Sequence, residues 1–528
     1  MDVSPSKRKL ARSTLSGMTS QYTVTAVNGL VQIGVLALLA RLLLPRDFGQ
    51  VGLAMAYIGF WSLAARLGLT AAIVRRPALT ERDIRAGFTL AVLFGLMATG
   101  LVWATAPLAA RALGSVSLTG IIRALGISLA IAGLSTVAEA LIQRQLAWAH
   151  LVRADLASTI VGQSAVSCML AALGLGAWAL VGGTLASSAI RSALLLRALP
   201  HAKRPLWAGA ETRELLRYGG NFALARGLNY AAQQGDNVVV GRMLGLEALG
   251  FYSRAFKLMM TPVSNFGVIL TRVLFPVMAR IQGEAERVRT GYLTGIAVLS
   301  LVTGPLSALM VTLAPEIVLV LLGPRWLAAV LPFQILSLGL VLRNPNLMTY
   351  TLDGAPEALG KRSLREGLYA LAVVCGALVG ASFGMAGVAC GVLFGVVVNY
   401  AAGTRISVEL TGCSFRDHAR AQLPGVLLGA AAAAIALPAR LALQAAGAPA
   451  PVILALVGLA TTAGLGGLLF AYPSLVGDYG RMAIRLSGAA LAGRLAGSRL
   501  AWLEGLSSGV VRRWGSASPA GADGQTTP

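Results

Sequence analysis

The chain has 528 residues, of which 56% are hydrophobic and only 12% charged, and its formal net charge is +23. Soluble domains are about 25% charged, so this chain lacks the polar side chains needed to cover several soluble cores. Apolar runs of roughly 20 residues recur along nearly the whole length. Each is long enough to cross a bilayer as a helix, and none shows the two-residue alternation of a membrane β-barrel.

In such a chain the positive charge points to basic cytoplasmic loops rather than to nucleic acid. The cysteines, Cys168, Cys375, Cys390 and Cys413, are scattered and mostly lie inside apolar runs, so they define neither a disulfide framework nor a metal site.

In chain order, residues 1–20 read as a basic cytoplasmic N-terminus. The apolar run that follows has no small-residue cleavage site, so it is expected to be a first transmembrane helix rather than a signal peptide. Fourteen segments can be marked: about 21–44, 48–74, 86–109, 117–142, 152–173, 175–198, 214–240, 248–279, 291–314, 327–351, 365–383, 385–408, 421–444 and 450–472. Alternate loops are basic, as cytoplasmic loops should be: Arg75, Arg76, Arg82 and Arg85; Arg144 and Arg153; Lys203, Arg204, Arg213 and Arg217; Arg280, Arg287 and Arg289; Lys361, Arg362 and Arg365; Arg405, Arg416 and Arg420. The intervening loops carry one or two cations each, such as Arg46, Arg111 and Arg325. This alternation places both termini in the cytoplasm. Residues 473–528 mix apolar residues with arginines, which suits either a basic amphipathic helix on the inner leaflet or a solvated tail, with a disordered end.

A repeat runs through the chain. At an offset of 201 residues, Asn28, Gln32, Gly34, Arg41, Leu43, Gly49 and Ala54 match Asn229, Gln233, Gly235, Arg242, Leu244, Gly250 and Ala255. Polar identities inside membrane helices are the informative ones. The expected architecture is therefore all-α and polytopic: two six-helix halves, 21–200 and 201–410, related by a pseudo-twofold axis along the membrane normal, plus two further helices in 411–472. Asn28 with Gln32, and Asn229 with Gln233, lie four apart on one helix face, which serves either interhelical hydrogen bonding or a cavity wall.

Ionisable residues deep in a bilayer are costly and mark functional sites. Arg66, Arg191, Arg226, Arg254, Lys257 and Arg343 fall inside the segments, against few carboxylates. Arg226, Lys257 and Arg343, with Arg66 and Arg254, are candidates to line a cavity that receives an anion; snorkelling to headgroups is the plainer alternative. Asp236 is the best lone carboxylate, placed either to neutralise an arginine or to bind a coupling proton or sodium ion. Asn344-Pro345-Asn346 should break the tenth helix.

His150, His201 and His418 are expected in separate cytoplasmic loops with no metal or acid–base constellation. No Walker A motif is present. The formal G-x-S-x-G at 380–384 sits in a membrane hairpin and is no nucleophile elbow. Gly376, Gly380, Gly384, Gly387, Gly391 and Gly395 instead fit close packing of the eleventh and twelfth helices. No cofactor and no enzymatic chemistry are expected.

The stretches "ARLLLPRDFGQVGLA", "LTAAIVRRPALTERDIRAGFTLAV", "GDNVVVGRMLGLEALGFYSRAFKLMMTPVS", "VLFPVMARIQ" and "GPRWLAAVLPFQIL" resemble the Wzx-type polysaccharide flippases of the multidrug/oligosaccharidyl-lipid/polysaccharide exporter superfamily. The resemblance spans roughly residues 10–410. It implies an alternating-access bundle in the bacterial inner membrane with a cation-lined central cavity. The substrate would be an undecaprenyl-pyrophosphate-linked oligosaccharide, passed to the periplasmic leaflet for the polymerase machinery to assemble into exopolysaccharide, capsule or O-antigen. A drug or metabolite:cation antiporter of the same superfamily would favour carboxylates in the first three segments, and none lies in their cores. A membrane polymerase or ligase would need large outer loops, and these are short. The basic tail beyond 473 departs from the family's usual short end.

Overall fold

The computed structural model describes residues 29, 31–66, 69–76, 79–200, 206, 230, 233–262, 284–343, 348 and 358–482. Within them the described parts of the segments expected above to cross the membrane are largely helical, with a turn at Gly339 inside the tenth. In chain order the helices are α1 (Val31–Leu42), α2 (Pro45–Arg66), α3 (Leu69–Arg75), α4 (Glu81–Ala112), α5 (Leu118–Arg144), α6 (Trp148–Ala172) and α7 (Ala177–Ala198). They continue with α8 (233–243), α9 (246–262), α10 (Ala285–Thr312), α11 (Ala314–Leu321), α12 (Pro324–Arg343), α13 (Ala358–Gly380), α14 (Gly384–Thr411), α15 (Phe415–Ala445) and α16 (Ala450–Ala471). Among the described residues, nine helices or helical runs are long and apolar enough to span a bilayer. The protein is a polytopic helical membrane protein.

The physical reason is the solvent. Lipid offers no partner to a backbone N–H or C=O, so each span must satisfy its own ladder. That pressure also accommodates Pro107, Pro305, Pro424 and Pro438 inside helices. Side chains that would be a liability in water face outward, as Leu108 does at 70% exposed and Phe383 at 78%. Where two of the spans enter, the sequence writes a capping box: Thr80 with Asp83 opens α4, and Ser414 with Asp417 opens α15.

The chain divides into two compact units. One comprises Met1–Asn265, Val318–Phe333 and Glu366–Gly395; the other comprises Phe266–Ile317, Gln334–Arg365 and Val396–Pro528.

In the first unit α4 and α5 pack so closely that a Cβ at Gly133 would stand 2.6 Å from the Ala91 carbonyl oxygen. Small residues replace the missing hydrophobic drive between helices in lipid. The expected α13–α14 glycine packing is present: Gly376 meets the Gly391 carbonyl and Gly380 the Gly387 carbonyl, at 2.6 and 2.2 Å from an added Cβ. Gly384, at φ +73°, makes the turn between these helices. Part of α6 is wound as a π-helix over Ser158–Val166, and Gly162 there admits the α7 backbone at Ser187. Nothing in the sequence signals this winding.

Arg191 corrects an expectation. It is not a cation left over in the membrane: its Nη1 reaches Glu139 at 3.0 Å and its Nε reaches Asp155 at 2.7 Å. The carboxylates come from α5 and α6, so their pairing was invisible along the chain.

In the second unit α10 crosses α15 at Gly304 and Gly425, where an added Cβ on Gly304 would meet the Gly425 carbonyl oxygen at 1.9 Å. His418 corrects a second expectation. It is 2% exposed rather than a loop residue. Gln422 donates to the Val341 carbonyl (3.0 Å) and accepts from the Tyr400 hydroxyl. The Tyr400 oxygen therefore accepts from His418 Nε2–H (2.9 Å), and His418 Nδ1 accepts the Tyr292 hydroxyl (3.0 Å). The order of donors and acceptors along this chain of bonds fixes the histidine tautomer. Nearer the other end of α15, the carboxylate of Glu316, 2% exposed, takes Arg440 Nε and Gln444 Nε2 on one oxygen, each at 2.8 Å.

Candidate functional site

The first unit brings together stretches that are far apart in sequence. Pro45 opens α2 at the position where a missing N–H costs nothing, and Asp47 accepts the Leu44 N–H at 2.9 Å, closing the α1–α2 turn. The α8–α9 turn lies against it. A Cβ on Gly49 would stand 1.7 Å from the Leu246 carbonyl oxygen, and one on Gly250 would stand 1.9 Å from the Pro45 carbonyl oxygen. The two contacts are reciprocal: Pro45 and Leu246, like Gly49 and Gly250, are separated by 201 residues.

Trp326, 0% exposed, plugs this crossing. Its ring meets Phe48 edge-on at 5.4 Å and Phe251 at 5.8 Å between centroids. Its indole N–H donates to the Ala40 carbonyl at 2.9 Å, while Arg41 donates to the Val320 carbonyl at 3.2 Å. Both acceptors belong to the last turns of helices, where carbonyls lack an intrahelical partner.

Beneath the crossing lies a polar layer. Asp236 on α8, 2% exposed, accepts the Tyr252 hydroxyl from α9 at 2.8 Å and the Asn237 N–H at 2.8 Å. Tyr252 was missed from the sequence, yet a signal existed: Asp236 and Tyr252 each lie eight residues from Leu244, as facing residues of a helical hairpin do. Arg254 sits about 12 Å along α9 from Leu246, at ~1.5 Å per residue. Its guanidinium carbon is 4.7 Å above the centre of the Phe48 ring. Its Nε is buried and has no hydrogen-bond partner among the described residues. Lys257 follows one turn later on the same helix with its side chain exposed. A cation stacked on an aromatic face with a donor unused is set to receive an acceptor from a ligand.

The other sequence candidates separate. Gln32 and Gln233 are described and both exposed. Arg343 ends α12 in the second unit, half-buried, and the Asn-Pro-Asn stretch after it lies outside the described residues. Asn28, Asn229 and Arg226 lie outside the described residues, as does the side chain of Arg66.

A cavity of about 150 Å³ was also not foreseen. Its wall includes Ser62, Ser128 and Thr136. Each of these donates its hydroxyl to a carbonyl of its own helix, so the oxygens remain as acceptors toward the cavity.

The family model of polysaccharide biosynthesis proteins matches residues 38–331, more than half of the chain. The chain belongs to the polysaccharide biosynthesis protein family. Over 350 residues the chain is 24% identical to the teichuronic acid biosynthesis protein TuaB of Bacillus subtilis (strain 168), covering 64% of this chain and 71% of that one. It is 26% identical over 319 residues to the succinoglycan biosynthesis transport protein ExoT of Rhizobium meliloti (strain 1021), covering 59% and 64%. Its fold is similar to that of the lipid II flippase MurJ in an inward closed conformation, with a TM-score of 0.68 at 10% identity over 86% of this chain and 99% of that one. The matched region contains all of the crossing and the polar layer beneath it.

Proposed function

We propose that this chain is a flippase that moves undecaprenyl-pyrophosphate-linked oligosaccharide repeat units across the bacterial inner membrane, for assembly of exopolysaccharide, capsule or O-antigen. The observation that carries the reading is Arg254, half-buried and stacked on Phe48 with its buried Nε unused, and Lys257 one turn away. A pyrophosphate supplies the acceptors such a layer lacks, and the planar guanidinium suits it. The names of TuaB, ExoT and MurJ, which speak of polysaccharide biosynthesis, transport and lipid flipping, support the same class.

Alternating access of two pseudo-twofold halves is the mechanism this reading implies. The reciprocal Gly49–Leu246 and Gly250–Pro45 contacts support it, because a contact made twice with roles exchanged is the signature of a twofold relation. The alternation of basic loops supports cytoplasmic termini and a periplasmic position for the crossing. In this scheme Arg343 and Arg226 remain further candidates for anion binding from the sequence, Asp236 is the carboxylate for coupling to a proton or sodium ion, and the polymerase machinery takes the product. The protein transports and makes or breaks no bond. A drug or metabolite:cation antiporter of the same superfamily is the weaker reading, because Glu139 and Asp155 in the first unit are held by Arg191.

The test is export in cells lacking the native flippase. Arg254→Gln and Lys257→Gln should each abolish surface polysaccharide while the protein remains in the membrane at its normal level. Full export by both variants would refute the cavity.

A further inference from the structure

One end of the first unit gathers arginines that membrane topology does not account for. Arg41, Arg46, Arg111, Arg242 and Arg325 are all exposed and come from separate turns. Contacts bring the turns together. A Cβ at Gly114, three residues after Arg111, would stand 3.6 Å from the Arg242 side chain. Gln50 reaches Ser117 at 3.3 Å, Arg41 reaches Val320, and Trp326, next to Arg325, reaches Ala40.

Arg46, Arg111, Arg242 and Arg325 form no hydrogen bond or ion pair from their guanidiniums to any described residue. Two carboxylates share this rim. Asp47 is committed to the Leu44 N–H, and Glu247 stands exposed in the first turn of α9. The cations outnumber them.

Height on the molecule identifies the ligand class. Leu44 is 54% exposed, Leu108 70%, Met243 53% and Leu327 49%, each within three residues of one of these arginines. Exposed leucines of a membrane protein face hydrocarbon, so the guanidiniums stand at headgroup level, beside lipid phosphates. On the topology of the proposed function this rim is periplasmic, where lysine and arginine are normally sparse.

We infer that this rim is a receiving site for lipid phosphate at the outer leaflet, made of exposed guanidiniums and separate from Arg254, whose guanidinium is turned onto the Phe48 ring. It would take the anionic head of a lipid as that head leaves the membrane interior, through arginine forks matched to phosphate oxygens. The phosphate can belong to the exported carrier or to an anionic phospholipid. The inference rests on the proposed topology, not on export itself.

The test uses the full chain in phosphatidylcholine nanodiscs doped with either undecaprenyl pyrophosphate or phosphatidylglycerol. Retained lipid is counted by native mass spectrometry. The variant replaces Arg46, Arg111, Arg242 and Arg325 together by glutamine. All four are exposed, so its melting temperature should match the parent's. Its retention of anionic lipid should fall about a hundredfold, given ~1 kcal/mol per basic group at a charged membrane surface and a discount for screening. Arg254→Gln should keep rim retention. Preference for undecaprenyl pyrophosphate would make the carrier the ligand, and equal retention would assign the site to lipid phosphate in general. Unchanged retention in the fourfold variant overturns the site. Separately, Arg325→Cys in a background lacking Cys168, Cys375, Cys390 and Cys413 should react with an impermeant maleimide on intact spheroplasts. Labelling only in inverted vesicles overturns the periplasmic placement while leaving the export assay to stand or fall alone.

Discussion

Replacing Gly49 or Gly250 by alanine should expose how the crossing is built. An added Cβ at Gly49 meets the Leu246 carbonyl oxygen at 1.7 Å, and at Gly250 the Pro45 carbonyl oxygen at 1.9 Å. Real Cβ contacts essentially never fall below 3.0 Å, so the α2 and α9 backbones must part by a little over 1 Å. Backbone cannot swing aside as a side chain can. Overpacking of this kind costs about 1–3 kcal/mol, and parting the helices also loosens Trp326 from Phe48 and Phe251. The two contacts belong to one seam. Once Gly49→Ala has opened it, Gly250→Ala meets less resistance, so the double variant should cost clearly less than the sum of the singles. Gly52→Ala is the control: one turn further along α2, with nothing within 4 Å of its Cβ, it should be neutral or stabilise by up to about 1 kcal/mol. The assay is thermal unfolding of detergent-purified protein, followed as loss of the monodisperse species. Strictly additive losses, or a Gly52→Ala as damaging as Gly49→Ala, would refute the reciprocal seam.

Two further outcomes follow from the second unit. Arg440→Met leaves the buried Glu316 without its cation and should destabilise by about 3 kcal/mol, whereas Glu316→Leu with Arg440→Met should recover most of the loss in melting temperature. His418→Phe removes the acceptor of Tyr292 and the donor to Tyr400, and should cost about 1–3 kcal/mol. Adding Tyr292→Phe should then cost less than Tyr292→Phe does alone, because the hydroxyl has already lost its histidine acceptor; strictly additive losses would contradict the bonding order deduced for this network.

Much of the fold was legible because lipid imposes a simple rule. A helix that crosses hydrocarbon needs a long apolar run, and the runs stand plainly in the chain. The α13–α14 glycines were also readable, since their spacing along each helix is what allows close approach. The site was legible only in part. Arg254 and Lys257 stood out because charge in an apolar run is expensive, and Asp236 for the same reason. Tyr252 did not, because tyrosine is at home in a membrane helix and only the hairpin register aims it at Asp236. The pairing of Arg191 is not legible in the sequence, because its partners lie 52 and 36 residues away on other helices. His418 was placed in a loop because a short polar stretch precedes it, although α15 begins three residues earlier and buries it.

The sequence by itself determined a helical membrane protein and which polar residues could not be idle in lipid. These are properties of single segments and of solvent, and they need no knowledge of neighbours. Only the tertiary structure decided which polar residues satisfy one another and which remain open. It paired Arg191 with Glu139 and Asp155, tied His418 into two tyrosines, and left Arg254 with a donor unused above Phe48. Pairing depends on which helix faces abut. That is set by packing of small residues at crossings, and a linear pattern does not encode it.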